Sequence, residues 1–284
     1  HRWVDSKTGR RTHLLGPNSQ HFREQGLWPT TPPPVFNQLG GEVDSTFILS
    51  MSKSETGTLW YAGDGRDPRD FGGSIGRTAV AYTGDIMLEE PIVEVKARMR
   101  RSDGEWSPLT EAVFKVGLVL PTSSTVGITE LMYRPAAPTE SELERGYTDA
   151  EDFEFVRLQN IGTMPIDLTD LRLENGIEFN FTDSSITVLL RGASVLLVKD
   201  VNAFQVRYGN DYDEIIAGEY SGKLSNHGDE ILLASSQNTI QTFSYGTSAL
   251  WPELGEERGQ SLALGDLLGD QTDSSNWMLS SEIL

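Results

Sequence analysis

From Val126 to Ser280 the chain is one long series of short apolar runs separated by polar turns, and this grammar sets the fold class. Glu154-Phe155-Val156-Arg157-Leu158-Gln159-Asn160-Ile161-Gly162 reads as a strand that ends in an Asn-x-Gly turn. A second turn cluster, Leu224-Ser225-Asn226-His227-Gly228-Asp229-Glu230, opens the strand Ile231-Leu232-Leu233. Runs of this length, bounded by Gly, Asn, Asp and Ser, are what a half-buried sheet requires, because successive side chains point to opposite faces. They predict a rigid β-sandwich and speak against an active-site cleft.

Charge is distributed unevenly along this pattern. The 284 residues carry a formal charge of −19, and residues 121–284 hold 9 Lys and Arg against 27 Asp and Glu. An acidic body repels nucleic acid and anionic lipid, so neither is an expected partner. No apolar stretch approaches the roughly 18–20 residues that span a bilayer, and no membrane insertion is expected. The absence of cysteine excludes disulfides, thiolate-ligated metal and thiol catalysis. The chain starts at His1 without an initiator Met or a signal peptide, and is expected to be an excised or processed piece of a larger protein, located outside the cell or on its surface.

The organisation reads as follows. Residues 1–33 are basic and irregular, with a short helix expected from an Asn18 cap through His21 and Phe22 to a stop at Gly26, and they end in the stiff connector Pro32-Pro33-Pro34. They are expected to be the tail of an upstream domain and its linker. Residues 34–118 have strand grammar. Val93, Val95, Ala97 and Met99 alternate with Glu94, Lys96, Arg98 and Arg100, and further strands are expected at 47–51, 58–61, 77–82 and 112–116. Residues 119–125 read as a linker, and 126–284 as a second domain. Two short helices are expected there as insertions between strands. One starts at the capping box Thr139/Glu142 and stops at Gly146. The other is capped by Asp200, with Phe204 and Tyr208 on one face and Gly209 as its stop. The fold class is all-β: two immunoglobulin-like β-sandwiches in tandem with short helical insertions.

No catalytic constellation emerges. Asp149, Glu151, Asp152 and Glu154 crowd the approach to a strand, but neighbours on an extended chain alternate in direction and do not make a facing pair of acids. They read as a solvated strand edge, with Asp149, Glu151 and Asp152 as the candidate calcium ligands. Asp64 and Asp67 are the corresponding candidates in the first domain, although Asp64-Gly65 already fits a tight turn. Calcium is the one cofactor left open. The His-x-x-x-His, Gly-x-Ser-x-Gly and phosphate-loop patterns are all absent. Trp60, Tyr61, Trp106 and Trp251 are the candidate ligand-binding residues. Flat apolar rings suit a sugar face, but in a β-sandwich they also serve as core plugs.

Two resemblances sharpen this reading. Ile128-Thr129-Glu130-Leu131-Met132-Tyr133-Arg134-Pro135, the Glu154–Gly162 strand, Gly218-Glu219-Tyr220-Ser221-Gly222-Lys223-Leu224-Ser225-Asn226, Phe243-Ser244-Tyr245, Trp251-Pro252 and Asn276-Trp277 together resemble the lamin-tail domain. The likeness is to the version found in large secreted bacterial proteins with spore-coat-protein-H-like kinase domains. Tyr61-Ala62-Gly63-Asp64-Gly65-Arg66-Asp67-Pro68, Val95-Lys96-Ala97-Arg98 and Trp106-Ser107 resemble the small C-terminal sandwich of chitobiases and β-hexosaminidases, with Ala62 and Arg66 departing from its pattern. That module does no chemistry in those enzymes. The resemblances imply a noncatalytic accessory segment that spaces or presents other domains of its parent protein and contacts extracellular protein or glycan. A carbohydrate-binding module and a calcium-stabilised adhesion module are the alternatives.

Overall fold

The structure, a computed structural model, describes residues 29–246, 250–252 and 259–280. The expected Asn18 helix and the histidines His1, His13 and His21 lie outside the described residues. The chain divides into two units, His1–Gly117 and Leu118–Leu284.

In the first unit, five strands form one sheet: β1 (Gly41–Val43), β2 (Thr58–Ala62), β3 (Val80–Ala81), β4 (Ile92–Arg100) and β5 (Thr110–Val116), in the order β1-β5-β4-β2-β3. All pairs are antiparallel except β1 with β5. The alternation read in β4 is realised: Val93, Val95, Ala97 and Met99 are buried, while the charged residues between them keep partial access to solvent. Two short ladders, Val35–Phe36 with Met51–Ser52 and Ile48–Leu49 with Ile86–Met87, add Phe36, Leu49 and Met51 to the same core. The expected strand at 47–51 is therefore split. At Ser50 the chain changes partner, and Asn37 fills the gap by donating to Ile48 O and accepting from Ser50 N, each at 3.0 Å. Of the expected strand 77–82, Val80–Ala81 alone pairs, because Ala79 N is turned back onto Gly76 O.

The second unit contains β6 (Val126–Met132), helix α1 (Glu140–Glu144), β7 (Phe155–Asn160), β8 (Arg172–Glu174), β9 (Ile177–Asn180), β10 (Ser194–Val198), helix α2 (Val201–Tyr208), β11 (Ile216–Glu219), β12 (Ser221–Gly222), β13 (Gly228–Ala234), β14 (Thr239–Gly246), β15 (Leu262–Leu264) and β16 (Trp277–Leu279). Among the described residues one large sheet runs β11-β10-β7-β6-β15-β16 and a second β12-β9-β8-β13-β14, and a two-residue ladder pairs Ile166–Asp167 with Val188–Leu189. Their inner faces share a core that includes Ile128, Val156, Leu158, Leu197, Ile231, Phe243 and Trp277. The all-β sandwich expected from the alternation is thus present. β10 and β11 are parallel, and α2 is the crossover that parallel neighbours require. Phe204 of α2 joins Met132, Phe155, Leu196 and Val198 in a second cluster on the outer side of the six-stranded sheet. This explains why β6 is buried along its whole length instead of alternating with solvent.

Segment 119–125 is tied to this unit. Val119 N donates to Pro165 O, and Thr122–Thr125 closes a turn from which Val126 N reaches Thr122 O. Both expected helices form as read. Thr139 and Glu142 make the capping box, Gly146 follows with positive φ, Asp200 accepts from Ala203 N at 2.8 Å, and Gly209 ends α2.

Candidate functional site

The centre of the second unit is a carboxylate buried where β7 begins. The period-two pattern puts Glu154 on the same face as Val156 and Leu158, so its side chain points into the sandwich. It is 0% exposed. This overturns the expectation of a solvated edge at Glu154, while Asp149, Glu151 and Asp152 keep access to solvent: a 3-10 turn at Ala150–Phe153, capped by Asp149 accepting from Glu151 N, rotates the chain and drives Glu154 inward. Glu154 Oε2 accepts from Tyr220 Oη at 3.0 Å and from Leu224 N at 2.9 Å, while Oε1 has no protein partner. Burial pushes this carboxyl up to about 7, against the opposing pull of the Leu224 N–H and the Tyr220 hydroxyl. Burial and the neighbouring carboxyl also raise the Tyr220 phenol.

Around this group the chain is knitted together. Tyr245 Oη donates to Ser225 O, and the Tyr133 and Tyr245 rings lie 4.7 Å apart. Toward the surface, Lys223 Nζ pairs with Glu151 Oε1 at 2.7 Å. One carboxyl thereby joins the start of β7 to the residues after β11 and to the Leu224-Ser225-Asn226 turn. At the other end of β7, Asn160 does the same work. Its Nδ2 donates to Met164 O and Leu189 O, and its Oδ1 accepts from Gly162 N, at 2.8–2.9 Å.

Two further glutamates are buried. Glu142 receives Arg207 Nε and Nη2 at 2.8 and 2.7 Å, and the guanidinium holds its carboxyl down to about 2. Arg207 also donates to Ala136 O and stacks 3.3 Å above the Phe153 ring. Glu130 accepts from Ser261 Oγ and pairs with Arg157 at 3.4 Å, and burial raises it. The alternation in β7 is the signal for Glu154. No comparable signal marks the burial of Glu142 or Glu130, whose partners Arg207 and Ser261 lie 65 and 131 residues away.

The residues singled out in the sequence serve local contacts within their own units. Trp106 is 5% exposed, with its Nε1 donating to Gly73 O and Arg100 over its ring. Tyr61 packs onto the first unit's core and meets Tyr82 edge-on, whereas Trp60 is half-buried on the opposite side of β2. Trp251 leans on Phe243 and Trp277. Trp60 and Tyr61 face opposite sides of β2 and so do not share one platform. Asp64 accepts from Arg66 N as a turn residue, and Asp67 accepts from Arg69 N and holds Arg98 through both oxygens at 2.7 Å. Asp149 is a cap, Glu151 is paired with Lys223, and Asp152 is raised by burial and by Asp149 and Asp200. Among the described residues no three His, Asp or Glu side chains gather as a metal site.

Glu154 at the start of β7, the Leu224-Ser225-Asn226 turn that it grips, and the Asn-x-Gly turn at the other end of β7 all lie in the stretches that carry the lamin-tail resemblance. Residues 120–247 match the family model described as Lamin Tail Domain. Lamin-tail domains are immunoglobulin-like and form a non-enzymatic fold family, consistent with an all-β sandwich that serves as a structural or interaction module. The lamin-tail match ends before β15 and β16, which complete the six-stranded sheet. No curated protein matches the chain. Among solved structures, a DUF4876 family protein from Bacteroides thetaiotaomicron VPI-5482 aligns at 9% identity and a TM-score of 0.36, over 88% of this chain and 92% of that one. That likeness is too remote to define a fold.

Proposed function

We propose that this chain is a noncatalytic segment of a larger extracellular bacterial protein, in which it spaces and presents other domains and contacts a protein partner. One observation carries the reading. The buried glutamates of the lamin-tail-like unit, Glu130, Glu142 and Glu154, each bind a different segment of the same unit and do not face one another across a cleft. Glycoside hydrolysis in its usual form needs two carboxyl groups placed on either side of the scissile bond. Among the described residues no helix is long and apolar enough to cross a membrane. In this reading the first unit is a module like the C-terminal sandwich of chitobiases, supported by the hairpin in which Asp64 and Asp67 act as turn residues. A parent with a spore-coat-protein-H-like kinase domain is the setting that the sequence resemblance favours.

The test is turnover. The purified chain, incubated with chromogenic glycosides, esters and phosphate esters, is expected to give only the buffer rate. A rate above background that is lost in Glu154→Gln would overturn the reading.

A further inference from the structure

Sheet edges are where β proteins bind other chains, and natural folds blunt them by keeping edge strands short or by adding charge, proline or bulges. Most edges here are short: β1, β3, β12 and β16 run two or three residues, and β11 runs four. β14 is different. It is an edge of eight residues, Thr-Ile-Gln-Thr-Phe-Ser-Tyr-Gly, with neither a charge nor a proline. Its one irregularity, opposite Leu233 and Ala234, bends the first residues, and from Gln241 to Gly246 the register with β13 is regular. Among the described residues its backbone pairs with β13 alone.

The two faces of this edge differ. On the inner side Gln241 donates to Gln271 Oε1, Phe243 and Tyr245 are buried, and Trp251 and Trp277 pack against Phe243, so from Phe243 onward the side chains next to an added strand would be apolar rings. On the outer side Thr242 and Ser244 are exposed, and behind them the sheet presents Glu230, Glu174 and Glu178, with Arg172 the cation among them, 2.5 Å from Glu174. Glu230 sits directly opposite Ser244. A side chain on a strand added beyond Ser244 starts about two strand spacings, roughly 10 Å, from Glu230. Lys and Arg side chains shorten that gap to a distance at which charges still act on one another.

We infer that β14 is a docking edge for an extended segment of a partner protein in which apolar residues alternate with Lys or Arg. Backbone hydrogen bonds to β14 would supply affinity, and the alternation would fix the register. A second copy of this chain fits less well, since each copy brings the same carboxylates to the shared face. The inference rests on reading the lamin-tail-like unit as an interaction module.

The experiment is a fluorescence-anisotropy titration of the whole chain with a labelled, end-blocked octapeptide of alternating Lys and Val. Two further peptides serve as controls: the same sequence N-methylated at every second residue, and its Glu/Val counterpart. Saturable binding is expected, at least 10-fold weaker for the N-methylated peptide and absent for Glu/Val. Thr242→Lys with Ser244→Lys is expected to cut affinity at least 10-fold without moving the thermal midpoint, and Glu230→Gln several-fold. Absence of binding, equal binding of the N-methylated peptide, or a chain that instead dimerises through an edge sensitive to the double Lys change would each overturn the inference. The three peptides are compared on the unaltered protein, so that arm stands even if a variant misfolds. Failure here with no catalytic turnover removes the docking edge and leaves the noncatalytic reading in place.

Discussion

Glu154 is one acid among 42, and its position inverts the usual effect of pH on a carboxylate. Its carboxyl is raised from 4.5 to about 7 in the folded chain. Between those values the folded state keeps a proton that the unfolded state has released, so stability falls as pH rises. The contribution is complete below about 4.5 and gone above about 7, and a shift of this size corresponds to about 3 kcal/mol. Denaturant unfolding of the native chain and of Glu154→Gln at pH 4.5 and pH 8 is expected to show the native chain losing about that much relative to the variant. An equal pH response in the two would refute it. Glu142 has the opposite sign. Arg207 holds it down to about 2, so its contribution is present above 4.5 and lost as pH falls toward 2. Arg207→Met, which leaves the buried carboxylate without its cation, is expected to cost roughly 3–5 kcal/mol in the same assay. Side-chain roles were only partly legible. The parity of Glu154 with Val156 and Leu158 was available in the sequence, yet the acids around it favoured a wet edge. For Trp106 and Trp251 the sequence favoured a core plug over a sugar platform but did not show which neighbours they pack on.

At the scale of elements the sequence was most informative where local chemistry decides. The Thr139–Glu142 box, the Asp200 cap and the glycine stops specify α1 and α2 through bonds made within a few residues, and both helices form there. What α2 covers was not legible. Its Phe204 closes the outer side of β6, β7 and β10, a contact made across the sheet and not along the chain. Two changes separate these contributions. Asp200→Ala removes the cap bond to Ala203 N and is expected to cost about 1 kcal/mol. Phe204→Ala empties the second cluster and is expected to cost about 3–5 kcal/mol. Thermal melts that rank them the other way would mean that the helix is held by its ends and not by its face. The short strands were the least predictable, since the partner switch at Ser50 depends on the amide of Asn37, thirteen residues earlier.

The whole molecule has separate cores. The first unit's cluster is built from Phe36, Leu49, Phe114 and their neighbours, and the second's from residues 126–277. Phe114→Ala is therefore expected to lower one unfolding transition by about 3–5 kcal/mol and to leave a second transition where it was. Calorimetry showing both transitions moving together would indicate a single cooperative unit. The outline of two β-rich pieces was readable from turn spacing. The pairing that closes the second was not, because it brings Leu262 beside Leu131 across more than a hundred residues. That late return has a practical cost for anyone trimming the chain to the matched segment 120–247. Such a fragment would lack Leu262, Leu264 and Trp277, leaving one flank of Val126–Met132 with open amides and an uncovered oily seam. Its fate in a test tube would be clumping, and a poor yield would say nothing about the soundness of the intact molecule.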